Sequence, residues 1–197
     1  MIPVGADWEK PSLGATTRLG SGPWLAQLSP IDGSTVQRVR TMTLDEIAMA
    51  TNSLRPLSAG GFEGAQARLM AALGPLEPEL RESLQLETAY VTADCQELTL
   101  ALLDFARDFK PLITASSGPT GSYGWPGGAR SFELQRAPWG VIAMVLPRNA
   151  FALLAVTCIL NALAAGNSVI VRAPTQCART AGLLADVLQE AGLDRHV

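Results

Sequence analysis

The chain has 197 residues, 48% of them hydrophobic, with a formal net charge of -3 and a mean hydropathy of +0.20. That length can bury one good core with a small appendage, and the charge offers no whole-chain case for nucleic acid or an anionic membrane. His196 is the single histidine and stands next to Val197, which excludes histidine-dependent triads and leaves no metal site to expect.

Residues 1–24 are rich in Gly, Pro, Ser and Thr without periodicity, and predict an extended arm. Asp7 and Glu9 interrupt the first ten residues, which lack the apolar core of a signal peptide. A turn at Pro30, Ile31, Asp32 and Gly33, followed by alternation from Thr35 to Val39, predicts a hairpin within residues 25–40. Thr43, with Glu46 three residues on, forms a capping box for a helix running to about Leu54. After a Gly-rich break at residues 59–61, helical spacing of Leu, Ala, Phe and Tyr predicts helices over 63–73, 79–91 and 96–109. The first half is therefore read as a helical layer.

Residues 116–128 (SSGPTGSYGWPGG) lack the GK[ST] of a phosphate loop and do not follow a strand, so they read as turns. Residues 129–135 alternate weakly and could form a strand. An apolar run over 140–146, stopped by Pro147, is long enough for one buried strand. Residues 150–165 are apolar almost all round and predict a buried helix. Gly166 and Asn167 supply an end that tolerates left-handed backbone, and 168–171 form a second, β-branched strand. Strand, helix and strand without alternation predict a parallel pair buried on both faces. An amphipathic helix over 179–191, ended by Gly192, completes the pattern. The apolar run 150–165 is shorter than the roughly twenty residues of a spanning helix, so no membrane contact is expected.

The loop Pro147, Arg148, Asn149 leaves the carboxyl end of the first strand, the edge where open α/β sheets bind ligands. Asn149 could cap the helix that follows, or its amide could donate to a developing oxyanion. Arg172 ends the second strand and Thr175 stands at the mouth of the last helix. Thr175 could be a plain N-cap, or both residues could meet the sugar or phosphate of a nucleotide. Fourteen of the eighteen acids lie at or before Asp108, and only Arg148 and Arg172 are charged between Ala137 and Ala178. Buried strands exclude charge, which explains this blandly; a locally positive pocket for phosphate explains it functionally. Cys95, Cys158 and Cys177 are odd in number and lack CxxC spacing, which fits a reducing, cytoplasmic setting. Cys158 lies inside an apolar helix, Asp94 and Glu97 disfavour a Cys95 thiolate, and Cys177 could have a lowered pKa near a helix start.

Several of these residues carry a resemblance. Pro138-Trp139-Gly140-Val141, Pro147-Arg148-Asn149, Ala162-Leu163-Ala164-Ala165-Gly166-Asn167 and Arg172-Ala173-Pro174-Thr175 resemble successive motifs of the aldehyde dehydrogenase superfamily. Weaker echoes are Ser29-Pro30-Ile31-Asp32-Gly33 and Glu87-Thr88-Ala89. The resemblance implies an α/β fold: a partial aldehyde dehydrogenase-like Rossmann domain (137–197), an N-terminal arm and helical layer (1–112), and a β-hairpin oligomerisation segment (113–136). It implies oxidation of an aldehyde or semialdehyde to an acid or acyl thioester with NAD or NADP. Asn149 then matches the oxyanion donor, and cofactor contacts fall on Leu146, Pro147, Arg148, Arg172, Pro174 and Thr175. Arg172 replaces a lysine and Thr175 a glutamate, which favours NADP; Arg148 replaces a tryptophan. The family's nucleophilic cysteine, general-base glutamate and Gly-rich pyrophosphate segment have no counterpart here, so the chain alone should not be a working dehydrogenase. Expected partners are the aldehyde and a second copy or a complementing chain. The alternatives are an inactive cofactor-binding or assembly module, or a helical protein that merely mimics the family.

Overall fold

The computed structural model describes residues 20–58, 61–116, 122–124, 127–128, 131–133 and 137–197. Most of the expected N-terminal arm and part of the Gly-rich break lie outside the described residues. β1 (Trp24–Leu28) and β2 (Thr35–Arg40) form the expected antiparallel hairpin. Its turn is closed by Gly33 at φ 73° and by Asp32, whose carboxylate accepts the backbone N–H and hydroxyl of Ser34. α1 (Leu44–Ser53) starts at Thr43 with both halves of the capping box in place.

α2 (Gly61–Leu73), a 3-10 turn (Gly74–Leu76), α3 (Glu77–Thr88) and α4 (Thr92–Ser116) make up the helical layer. α4 continues well beyond the expected end at residue 109, to Ser116, with Pro111 and its missing backbone donor inside it. Within the stretch read as turns, Ser122–Gly124 is a strand, β3, paired antiparallel with β4 (Ser131–Glu133). The weak alternation over 129–135 is thus a strand at its centre, and the remainder of 117–136 is largely outside the described residues.

β5 (Val141–Val145), α5 (Phe151–Ala164) and β6 (Ser168–Arg172) form a parallel strand–helix–strand unit in which Val141 faces Ser168 and Val145 faces Arg172. A second 3-10 turn (Thr175–Cys177) leads into α6 (Ala178–Glu190). Leu69, Phe109, Phe151, Leu160, Val169 and Leu184 belong to one buried cluster, so the helical layer and the strand unit share a core. Gly166 takes φ 80° after α5, as its expected role requires. Buried Asn167 then accepts the N–H groups of Trp139 and Gly140 on its side-chain oxygen, at 2.6 and 3.1 Å. It thereby fixes where β5 begins.

Burial on both faces of the strands is not what the chain shows. Ile142, Met144, Val169 and Val171 face the core, whereas Val141 and Val145 are 43% and 72% exposed and neighbouring Trp139 is 92% exposed. All the helices that pack here lie on one side of the two-stranded sheet. Its apolar outer face therefore has nothing against it among the described residues.

Candidate functional site

The pairing of β5 with β6 decides what stands at the carboxyl edge. Val145 and Arg172 are register partners, and the Leu146 N–H donates to the Arg172 carbonyl at 3.4 Å. The segments that follow, 146–149 and 173–177, are tied again by the Cys177 thiol, which lies 3.5 Å from the Arg148 carbonyl as its donor. Leu146, Pro147 and Arg148 thus stand beside Arg172, Pro174 and Thr175. Pro174 is buried, Thr175 and Leu146 are half-buried, and Arg148, Asn149 and Arg172 are exposed.

Asn149 does not cap the following helix. Ala150 occupies that position in the left-handed region at φ 54°, with no side-chain cap, and its carbonyl accepts the Leu154 N–H at 3.0 Å. Left-handed backbone at a residue other than glycine is uncommon and costs strain. Here it turns the chain into α5 and leaves the Asn149 amide exposed, without a hydrogen bond among the described residues. Arg148 and Arg172 likewise have no carboxylate partner among the described residues.

Nor is Thr175 a side-chain cap. The start of α6 is capped from a distant part of the chain by Glu87 of α3. Its Oε1 accepts the Arg179 N–H at 2.7 Å and the Thr180 N–H at 3.3 Å, while Oε2 accepts the Thr180 hydroxyl. A carboxylate at a helix N-terminus meets both the orphan N–H groups and the positive end of the helix dipole. Gln27 of β1 completes the arrangement: its Nε2 donates to Glu87 Oε1 at 3.0 Å and to the Gln176 carbonyl at 2.6 Å. Its Oε1 in turn accepts from Gln37 Nε2 at 2.6 Å. Both Gln27 and Glu87 are 1% exposed. Burial raises the Glu87 pKa above the usual carboxylate value, against the opposing pull of its hydrogen bonds from Thr180, Gln27 and Arg179.

Cys177 runs opposite to expectation. Burial first, and the nearby Glu87 charge second, push its thiol up to about 12, outweighing the effect of Arg148. A helix start does not create a thiolate when the sulfur is desolvated beside a carboxylate. Cys95 is also raised, by burial and then by Asp94. No group of residues suited to holding a metal ion occurs among the described residues. None of the helices described is long and apolar enough to cross a membrane. An open depression of about 430 Å³ on α4 is lined by Ala93, Gln96, Glu97, Leu100, Ala101 and Asp104, none of which belongs to the strand edge.

Gln27, Glu87 and Asn167 escape a local reading of the sequence. Glu87 sits in the Glu-Thr-Ala echo and Asn167 in the helix-end motif, so each could be noticed. Neither string reveals a bond to a partner tens of residues away, and Gln27 carries no signal of its own.

Two parallel strands joined by a helix, with loops side by side at their carboxyl ends, define an α/β protein, a class whose ligands bind at that edge. The chain belongs to the aldehyde dehydrogenase family, which it matches over residues 24–197. It is 25% identical to the fluoroacetaldehyde dehydrogenase of Streptantibioticus cattleyicolor, an alignment covering 94% of this chain and 37% of that protein. The fold resembles aldehyde dehydrogenase 21 of Physcomitrella patens in complex with succinate, with a TM-score of 0.74 at 16% identity over 89% of this chain and 39% of the other. It also resembles an NADP-dependent glyceraldehyde-3-phosphate dehydrogenase of Bacillus halodurans complexed with NADP, at TM-score 0.70 and 20% identity over 91% and 40%. The chain therefore spans well under half the length of these relatives.

Proposed function

We propose that this chain supplies the amino-terminal share of an NAD(P)-dependent aldehyde dehydrogenase, oxidising an aldehyde or semialdehyde to an acid or acyl thioester. The observation that carries this reading is the register of Val145 with Arg172, which sets the 146–149 and 173–175 segments together at one sheet edge in a chain of this family. The donor set suits a dinucleotide. Arg172 and Arg148 offer guanidinium groups without carboxylate partners among the described residues, and Thr175 offers a hydroxyl where a carboxylate would repel a 2′-phosphate. NADP is accordingly favoured over NAD. Leu146, Pro147 and Pro174 would border the cofactor, whose nicotinamide supplies the hydride acceptor.

The Asn149 amide, exposed and uncommitted, would donate to the aldehyde oxygen as negative charge gathers there after thiolate attack. One preorganised donor of this kind is worth roughly 10²–10³ in kcat. Neither of the two buried thiols suits the attacking role: Cys95 and Cys177 both resist ionisation, and Cys158 lies within the apolar helix α5. The nucleophile would come from outside these residues. A second reading, an assembly module that pairs with another chain, is favoured by the open apolar outer face at Val141 and Val145.

Calorimetric titration of the purified chain with NADP+ and NAD+ tests the cofactor assignment. Tighter NADP+ binding that falls at least tenfold in Arg172→Ala, with a smaller change for NAD+, is the expected result. Equal affinities unaffected by Arg172→Ala would refute it. Aldehyde oxidation by the chain alone would show that its own cysteines suffice.

A further inference from the structure

We propose that Gln27 is a positioning residue for the nucleotide-facing segment 173–177, acting through the Gln176 carbonyl; this rests on the cofactor reading given above. The 3-10 turn Thr175–Cys177 lies between the end of β6 and the start of α6, and short 3-10 turns hold their shape weakly by themselves. Its internal anchor is the Cys177 N–H to Pro174 carbonyl bond at 2.9 Å. From outside it is held by the Cys177 thiol on the Arg148 carbonyl at 3.5 Å and, more closely, by Gln27, whose amide donates to the Gln176 carbonyl at 2.6 Å, one residue past Thr175.

Two further bonds keep the Gln27 amide from swinging away. Glu87 Oε1 accepts its second N–H, and the Gln27 oxygen accepts from Gln37, so donors and acceptors are both committed. The same Glu87 oxygen accepts the Arg179 N–H. The turn is therefore held at Gln176 and at the first turn of α6 by one buried side-chain pair. A fully satisfied buried amide of this kind fixes geometry more than it adds net stability. The hairpin β1–β2, remote from the strand edge in sequence, thus sets the angle at which Thr175 is presented.

The test uses Gln27→Met, of similar size but unable to donate, and Gln27→Asn, which keeps the amide but is one methylene short. Three measurements are made on each: NADP+ affinity by calorimetry at a temperature where the chain is folded, Tm, and amide exchange without nucleotide. The expected result is about tenfold weaker NADP+ binding in both variants, with faster exchange confined to the amides of residues 175–180. A residue that only stabilises would lower Tm and leave the affinity of the folded chain unchanged. If the unsubstituted chain binds NADP+ and both variants bind it equally well, the inference is overturned while the cofactor reading stands. Exchange that rises throughout the chain also overturns it. No binding by the unsubstituted chain overturns the cofactor reading and this inference together.

Discussion

Replacing Asn167 by alanine isolates one side chain that fixes the start of β5. The Asn167 oxygen accepts the N–H groups of Trp139 and Gly140 at 2.6 and 3.1 Å, and its amide lies 3.3 Å from the Ala162 carbonyl. That carbonyl also accepts the Asn167 backbone N–H at 3.0 Å, so truncation does not orphan it. What is lost is mainly the pair of bonds to Trp139 and Gly140, at about 1 kcal/mol net each. Both residues are exposed, so water can reach the freed N–H groups and the larger penalty of a dry, unsatisfied donor does not apply. The expected loss is about 2 kcal/mol, or roughly 4–8 °C in Tm for a chain of this size. Thermal denaturation followed by circular dichroism measures it, and amide exchange should speed up at Trp139 and Gly140. Asn167→Asp keeps an acceptor in place and should retain more than half of the difference. A Tm within about 1 °C of the parent for Asn167→Ala, or equal losses in the two variants, would refute the reasoning.

Further outcomes follow from the same structure. Because burial holds the Glu87 pKa above its unfolded value of 4.5, folding favours the protonated form. Its contribution to stability is full below about the unfolded value and is lost as pH rises through the folded value. Glu87→Gln should therefore flatten the Tm–pH curve in that window, and an unchanged slope would count against the burial argument. Glu87→Ala strips acceptors from the Arg179 and Thr180 N–H groups and from Gln27, and should cost about 2–4 kcal/mol in denaturant titration. Cys177, with a thiol near 12, should resist iodoacetamide at pH 8 in the native chain and react only after denaturation; rapid native labelling, mapped by peptide mass, would contradict this. Gly140→Ala, at φ 102° with open space around the new Cβ, should lose about 1–2 kcal/mol from backbone strain alone.

Features set by near neighbours were legible in the sequence. The Thr43–Glu46 box, the Gly33 turn and the Gly166 helix end each depend on residues within a few positions of one another, and the β5–α5–β6 unit on consecutive apolar runs. The resemblance in the last third also led to the correct family. What stayed hidden depends on distance in sequence. Thr175 at a helix mouth suggested a local cap, but a carboxylate from α3 does that work. The position of Asn149 suggested another, but a left-handed Ala150 turns the chain instead. An apolar run suggested a strand covered on both sides, yet hydrophobicity says only that a face seeks cover, and Val145 has none among the described residues. The placement of Asn149, Arg172 and Thr175 along one edge followed from strand order; the brace behind them did not.

The bond from Gln27 to Gln176 also bears on how the chain is made. It spans 149 residues, so the hairpin cannot make this contact until Gln176 has been synthesised. At about 5–20 residues per second, synthesis of that span takes roughly 7–30 s, and closing so long a loop costs about 4 kcal/mol of chain entropy. During that interval the Gln27 side chain, buried in the folded chain, lacks the Gln176 carbonyl to which it will donate. The order of emergence makes this contact of β1 a late one, so a chaperone that shelters the nascent hairpin should raise the yield of this protein.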